Sequence, residues 1–213
     1  MPRILLFDYF RSSASYRVRI ALNLKGVAYE RSAVNLVEGA QRTDDYRARN
    51  PQGLVPTLEI DGRRLTQSLA IIGYLEATRP EPRLLPADPG EAAQVRALAL
   101  AIACDIHPLN NLRVLKYLSG PLGQPDEARD QWYRHWIAEG FAALEAMAAE
   151  RAGRFLFGDS PTLADVCLVP QMFNARRFGV PLDEFPLLVQ VDEEASRLEA
   201  FAAAHPDAIA AAS

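Results

Sequence analysis

The stretch RPEPRLLPADPGEA, residues 79–92, places four prolines in fourteen positions. Proline fixes φ and removes a backbone donor, so a run this dense continues neither a helix nor a strand ladder. On its two sides the apolar pattern differs. Before it, short apolar runs alternate with amphipathic ones; after it, alanine- and leucine-rich segments repeat with helical period. The expected organisation is a mixed α/β domain over 1–80, a linker over 81–90 and an all-helical domain over 91–213.

Within the first part, ILLF (4–7) is a strand signal. Ala14, Val18, Ala21 and Leu22 then share one helix face, closed by Lys25 and Gly26. VAYERSAV (27–34) is a second strand candidate, followed by a polar stretch with room for a short helix. TLEIDGRRLT (57–66) predicts an antiparallel hairpin turning at Asp61-Gly62. Ser68 starts a further helix. The order β-α-β-α-β-β-α is the thioredoxin-like layout, a small sheet with helices on both faces. Beyond the prolines, helices are expected over roughly 91–119 and 126–150, and Thr162 to Asp165 has capping-box spacing. The alanine-rich last ten residues are expected to fray.

The net charge of -4 and pI near 5.5 disfavour a nucleic-acid or anionic-membrane partner. Any anion site must be built from a few placed arginines. Cys104 and Cys167 lack metal-ligand or redox spacing and read as buried thiols of a cytoplasmic protein. The apolar run at the start is too short for a signal peptide and is interrupted by Asp8. No run is long enough to span a bilayer. The histidines form no metal-ligand spacing, so no metal is expected.

The junction YFRSSASYRVRIAL (9–22) puts Ser12 and Ser13 where a redox protein of this layout would carry a nucleophilic cysteine. By position alone, Ser13 reads as an ordinary helix N-cap. The surrounding residues add more. SSASYRVRIAL resembles the zeta-class glutathione transferase signature, S-S-C-x-W-R-V-R-I-A-L. NPQGLVPTL (50–58), QSLAIIGYL (67–75), DIHPLNNLRVL (105–115), TLADVCLVPQ (162–171) and NARRFGV (174–180) extend the resemblance in family order.

The resemblance implies glutathione as cofactor, so that the sulfur is not the protein's own. A free thiol titrates near ~8.5, and lowering that by about two units takes roughly 2.7 kcal/mol of thiolate stabilisation. Hydroxyls at a helix N-terminus suit this task. Ser12 is the implied thiolate partner, with Ser13 as helper or alternative. Gln52, the cis-proline turn Val55-Pro56, Gln67 and Ser68 are the implied glutathione anchors, joined by a polar lining from His107, Asn110 and Asn111. Ala14 and Tyr16 depart from the signature at its cysteine and tryptophan, which excludes side chemistry by that cysteine and bears on substrate preference.

A zeta-type enzyme isomerises a small dicarboxylate keto acid. Cations are therefore required, and arginine matches a carboxylate with two parallel donors. Arg11, Arg113 and Arg176 are the candidates, with Arg177 as alternative to Arg176; Arg17 and Arg19 are assigned to solvated helix faces. The expected activity is cis–trans isomerisation of maleylacetoacetate or maleylpyruvate by a homodimer. A detoxifying transferase is the alternative. A thioltransferase would need a cysteine at the Ser12–Ala14 junction, and the intact Ser12, Gln67 and Ser68 set argues against a non-enzymatic protein.

Overall fold

The computed structural model describes residues 3–211. The first part of the chain forms β1 (Leu5–Asp8), α1 (Ser13–Leu24), β2 (Glu30–Ala33), α2 (Asp44–Arg49), β3 (Thr57–Ile60), β4 (Arg63–Thr66) and α3 (Ser68–Thr78). The sheet order is β2-β1-β3-β4; β1 runs parallel to β2 and antiparallel to β3, and β3 is antiparallel to β4. This is the expected thioredoxin-like arrangement. β1 is central and carries buried Leu6, Phe7 and Asp8. At the hairpin, Asp61 (φ 51°) and Gly62 (φ 71°) both adopt the left-handed conformation that a tight turn of this hand requires.

β2 is shorter than the 27–34 expected, because the residues before it are used to end α1. Gly26 takes φ 63°, its N–H donates to the Asn23 carbonyl, and Val27 N–H donates to the Leu22 carbonyl. These two bonds make a Schellman ending, and they leave Val27 no N–H for the sheet.

The helices of the second part are α4 (Pro89–Leu100), α5 (Leu112–Ser119), α6 (Asp126–Ala148), α7 (Leu163–Arg177) and α8 (Pro186–Ser196). The helix expected over 91–119 is broken by a π-helical turn at Ala101–Ile106 and the irregular stretch after it. Gly140 of α6 admits the Ile106 side chain there: a Cβ at position 140 would lie 2.3 Å from Ile106 Cγ1. The chain closes with α9 (Glu199–Ala202) and α10 (Pro206–Ala211).

The chain packs as two units, one running through Arg83 and resumed from Leu198, the other Leu84–Arg197. This corrects the expected boundary of 91–213, since the last segment belongs with the first unit. It packs on α1, where Asn23 Nδ2 donates to the Ala200 carbonyl at 2.9 Å. Phe201, Ala204 and Ile209 are buried. Ile209 anchors α10, so the expected fraying does not reach Ala211; the last two residues lie outside the described ones. The expected linker is also divided. Lys25 Nζ holds the Pro80 and Pro82 carbonyls and Glu76, whereas the Leu84 carbonyl accepts from Leu163 N–H in the second unit.

Two further expectations are corrected. Arg17 and Arg19 are buried, not solvated. Cys167 is buried as expected, but Cys104 is exposed because it sits on the outward side of the π-helical turn.

The capping box forms. Thr162 Oγ1 accepts from Ala164 N–H, and Asp165 Oδ2 accepts from Thr162 N–H at 2.7 Å. Asp165 Oδ1 also accepts from Leu156 N–H at 2.8 Å, tying the preceding loop to α7. Burial pushes the Asp165 carboxyl up to about 6, against the opposing pull of these donors. Its folded value therefore lies above its unfolded one. The neutral form is favoured on folding, and this contribution is lost as pH rises from about 4 to about 6. Chemical denaturation of wild type and Asp165→Asn across that range should show a stability difference that changes with pH. A constant difference would place the Asp165 titration outside that window.

Candidate active site

Ser12 sits at the N-cap of α1 in extended backbone (φ -74°, ψ 118°), and its Oγ accepts from Ser15 N–H at 3.2 Å. The capping residue is thus Ser12, with Ser13 as the first helical residue and buried. A hydroxyl has one donor and two acceptor positions. Capping uses only an acceptor, so the Ser12 hydrogen is available to an incoming anion while the helix dipole favours negative charge there. Capping and anion stabilisation are compatible in one side chain. Beside it, Arg11 is exposed, its guanidinium carbon 4.9 Å from the Phe10 ring centroid, with no ion-pair partner among the described residues.

The Val55-Pro56 peptide is cis, as expected. It is supported by residues that sequence reasoning missed. Tyr46 Oη donates to the Leu54 carbonyl at 2.8 Å, and Asn50 Nδ2 donates to the same carbonyl at 2.7 Å. Burial pushes the Tyr46 phenol up, which keeps that donor protonated. The signal available was an aromatic at the centre of a short polar helix.

Gln67 lies between β4 and α3 with φ 69° and ψ 117°, a backbone region that a side chain with Cβ rarely occupies. Its Nε2 donates to Gln52 Oε1 at 2.8 Å, bringing two predicted anchors together. Ser68 follows as the first residue of α3 and is buried. An outlier held by its surroundings is a mark of functional geometry.

In the second unit, α6 fixes the turn that carries His107, Asn110 and Asn111. Trp132 Nε1 donates to the Leu109 carbonyl at 2.9 Å, and Asn110 Nδ2 reaches the Tyr133 carbonyl at 3.4 Å. Asn110 Oδ1 is buried without a hydrogen-bond partner among the described residues. Asn111 is the N-cap of α5, its Oδ1 accepting from Arg113 N–H. Arg113 is exposed in that helix's first turn, with no carboxylate partner among the described residues.

Arg176 departs from expectation: its Nη1 is bonded to Asp192, whose side chain is buried. Burial raises the Asp192 carboxyl and the Arg176 charge opposes that shift. Arg176 is therefore engaged in holding α7 to α8. Arg177 is exposed, 5.2 Å from the Phe178 ring centroid, with no carboxylate partner among the described residues. Phe178 stacks on Tyr133 at 3.6 Å between centroids. Tyr16, a departure from the signature, is buried with its ring edge-on to His205, so that position serves packing.

A sheet of this topology, a serine-capped helix start beside it and a cis-proline turn define the glutathione-binding class of thioredoxin-like proteins. Residues 6–83 match the family described as Glutathione S-transferase, N-terminal domain, and residues 130–204 match Glutathione S-transferase, C-terminal domain. The chain is 54% identical over 203 residues to the maleylacetoacetate isomerase of Rhizobium meliloti, covering 95% of each. It is similar to a holo structure of maleylpyruvate isomerase, a bacterial zeta-class enzyme, at TM-score 0.94 and 48% identity, covering 96% of this chain and 97% of that one. It is also similar to the maleylacetoacetate isomerase of Anaeromyxobacter dehalogenans with bound dicarboxyethyl glutathione and citrate, at TM-score 0.86 and 46% identity, covering 96% and 95%. The chain belongs to the glutathione S-transferase family, in its zeta class.

The Gln67 backbone yields a prediction. A residue held in a sparsely populated region costs about 1–3 kcal/mol, which glycine relieves at a smaller entropic cost of about 0.5–1 kcal/mol. Gln67→Gly should raise Tm by roughly 2–4 °C while weakening glutathione binding at least about tenfold. Calorimetry in both modes checks this; a lower Tm with unchanged binding would remove the residue from the site.

Proposed function

We propose that the chain is a glutathione-dependent cis–trans isomerase of maleyl dicarboxylates, acting on maleylacetoacetate, with maleylpyruvate as the near alternative. The carrying observation is Ser12: its oxygen is occupied by the Ser15 N–H, and its hydrogen is left to stabilise a thiolate. Bound glutathione supplies the thiol that adds reversibly to the double bond, leaving a single bond that can rotate before the thiol departs.

The residues present fit that cofactor. Ser12 holds the sulfur as its anion by donating a hydrogen bond from a helix N-terminus. The Val55 backbone, presented by the cis turn, pairs with the cysteinyl part, and Gln67 and Ser68 hold the γ-glutamyl end at the start of α3. Gln52 orients Gln67 through the amide contact. His107, Asn110 and Asn111 remain the second unit's candidate polar groups, the Asn110 oxygen being buried without a partner among the described residues.

Arg11, Arg113 and Arg177 take the substrate carboxylates and the negative charge that develops during addition. Arg177 is preferred to Arg176 in this role because Arg176 Nη1 is paired with Asp192, whereas Arg177 has no carboxylate partner among the described residues. The enzyme works as a cytoplasmic homodimer, twofold pairing being the commonest closed assembly. Cys104 and Cys167 form no disulfide, which suits a reducing compartment, and among the described residues no helix is long and apolar enough to cross a membrane.

Ser12→Ala should remove most turnover and lower the absorbance of bound thiolate at neutral pH, with glutathione affinity nearly unchanged. Wild-type turnover would move the role to Ser13 or to backbone donors. Arg177→Ala should lower kcat/KM for a maleyl dicarboxylate by the about 2–5 kcal/mol of a broken, hydrogen-bonded charge pair, and leave a neutral chloroaromatic electrophile nearly unaffected. Arg176→Ala should not discriminate between them. If neither Arg11, Arg113 nor Arg177 responded to substrate charge, the activity would be that of a detoxifying transferase. Sedimentation at micromolar concentration should show a dimer, and a stable monomer would overturn that part.

A further inference from the structure

The sequence places Arg19 on a helix face pointing away from Ser12, yet no part of its side chain reaches solvent. Three acceptors surround it. Nη1 donates to Asp8 Oδ2 at 2.8 Å, Nη2 to the Phe10 carbonyl at 3.0 Å and Nε to the Ala204 carbonyl at 3.1 Å. The Tyr16 ring lies 5.3 Å from the guanidinium carbon. Asp8 is held from its other side by Arg31, at 3.2 and 3.1 Å. Asp8, Arg31 and Tyr29 are the titratable groups that act on Arg19. A planar fork with all its edges engaged has one orientation.

One of these acceptors matters for the chemistry. Ser12 N–H donates to the Tyr9 carbonyl at 2.8 Å, so Tyr9–Ser12 is a single tight turn leaving β1. The Phe10 carbonyl belongs to the central peptide of that turn, and its direction sets where Arg11 and Ser12 emerge. We infer that Arg19 is a positioning residue for the thiolate centre: from inside the domain it fixes the Phe10 peptide, and with it the direction of the Ser12 hydroxyl. This deepens the reading of Ser12 given above and rests on it. Substrate and glutathione are not touched by Arg19.

Arg19→Lys and Arg19→Gln test the inference in the full chain. Lysine retains the pairing with Asp8 but cannot donate in three fixed directions at once. In either variant Arg31 continues to neutralise Asp8, so no buried carboxylate is left alone. Three quantities are read: Tm, glutathione affinity by calorimetry, and kcat/KM with thiolate absorbance as functions of pH.

In Arg19→Lys the bound thiol should titrate about one unit higher, giving roughly tenfold lower kcat/KM below that pKa. Activity should recover at higher pH, and glutathione Kd should stay within about twofold. In a Ser12→Ala background the same substitution should shift the thiol no further, since its effect passes through Ser12. An unshifted thiol, or a loss independent of pH, overturns the inference. So does failure of both variants to fold, which would make Arg19 purely structural. If Ser12→Ala itself left the thiol unshifted, the Ser12 reading would fall. If Ser12→Ala shifted it and Arg19→Lys did not, the Arg19 inference alone would fall.

Discussion

A carboxylate without solvent access ends the central strand, and the first unit is arranged around it. Asp8 is fully buried in β1, where an unpaired charge would be strongly unfavourable. Arg19 from α1 and Arg31 from β2 neutralise it, so helix, parallel partner strand and strand end are tied at one point. Leaving such a buried charge with no partner typically costs about 3–5 kcal/mol, which the two arginines together prevent. The tie also falls on the residue immediately before the turn that delivers Arg11 and Ser12, which couples the fold's electrostatic centre to the proposed chemical one.

The architecture of the first unit was legible because each element had a local cause. The Asp61-Gly62 turn, the Gly26 helix ending and the Ser68 helix start all act through neighbouring backbone. The cis turn at Val55-Pro56 was implied by the family resemblance, which named Gln52 and Gln67 as anchors but not the hydrogen bond between them. What escaped depended on contacts between distant positions. Arg19 looked like a surface arginine because its acceptors come from Asp8, Phe10 and Ala204. The one local hint was an acid inside an apolar strand, which demands a cation. Arg176 and Arg177 are adjacent and chemically identical, and only the position of Asp192 on α8 separates them. The break in the long helix before α5 required Gly140 to meet Ile106 from α6.

A borrowed sulfur relaxes what the signature must contain. With glutathione supplying the thiol, Ala14 can stand where the zeta-class signature has cysteine, because the task left to the protein is to favour an anion. Ser12 at the helix cap spends one acceptor position on the Ser15 amide, and the role proposed for it draws on the donor that remains. Tyr16 stands where the signature has tryptophan, buried, with its ring packed edge-on to His205.

The return of the chain to its first unit has a consequence for the order of synthesis. The segment from Leu198 leaves the ribosome only after the whole of Leu84–Arg197, a delay of roughly ten seconds at typical elongation rates. During that interval the nascent first unit has its sheet but lacks the Ala204 carbonyl and the apolar cover of Phe201 and Ile209 on α1. Emergence of the segment from Leu198 is thus the event that covers the unit. A chain that stops short of Leu198 would leave that flank of α1 uncovered.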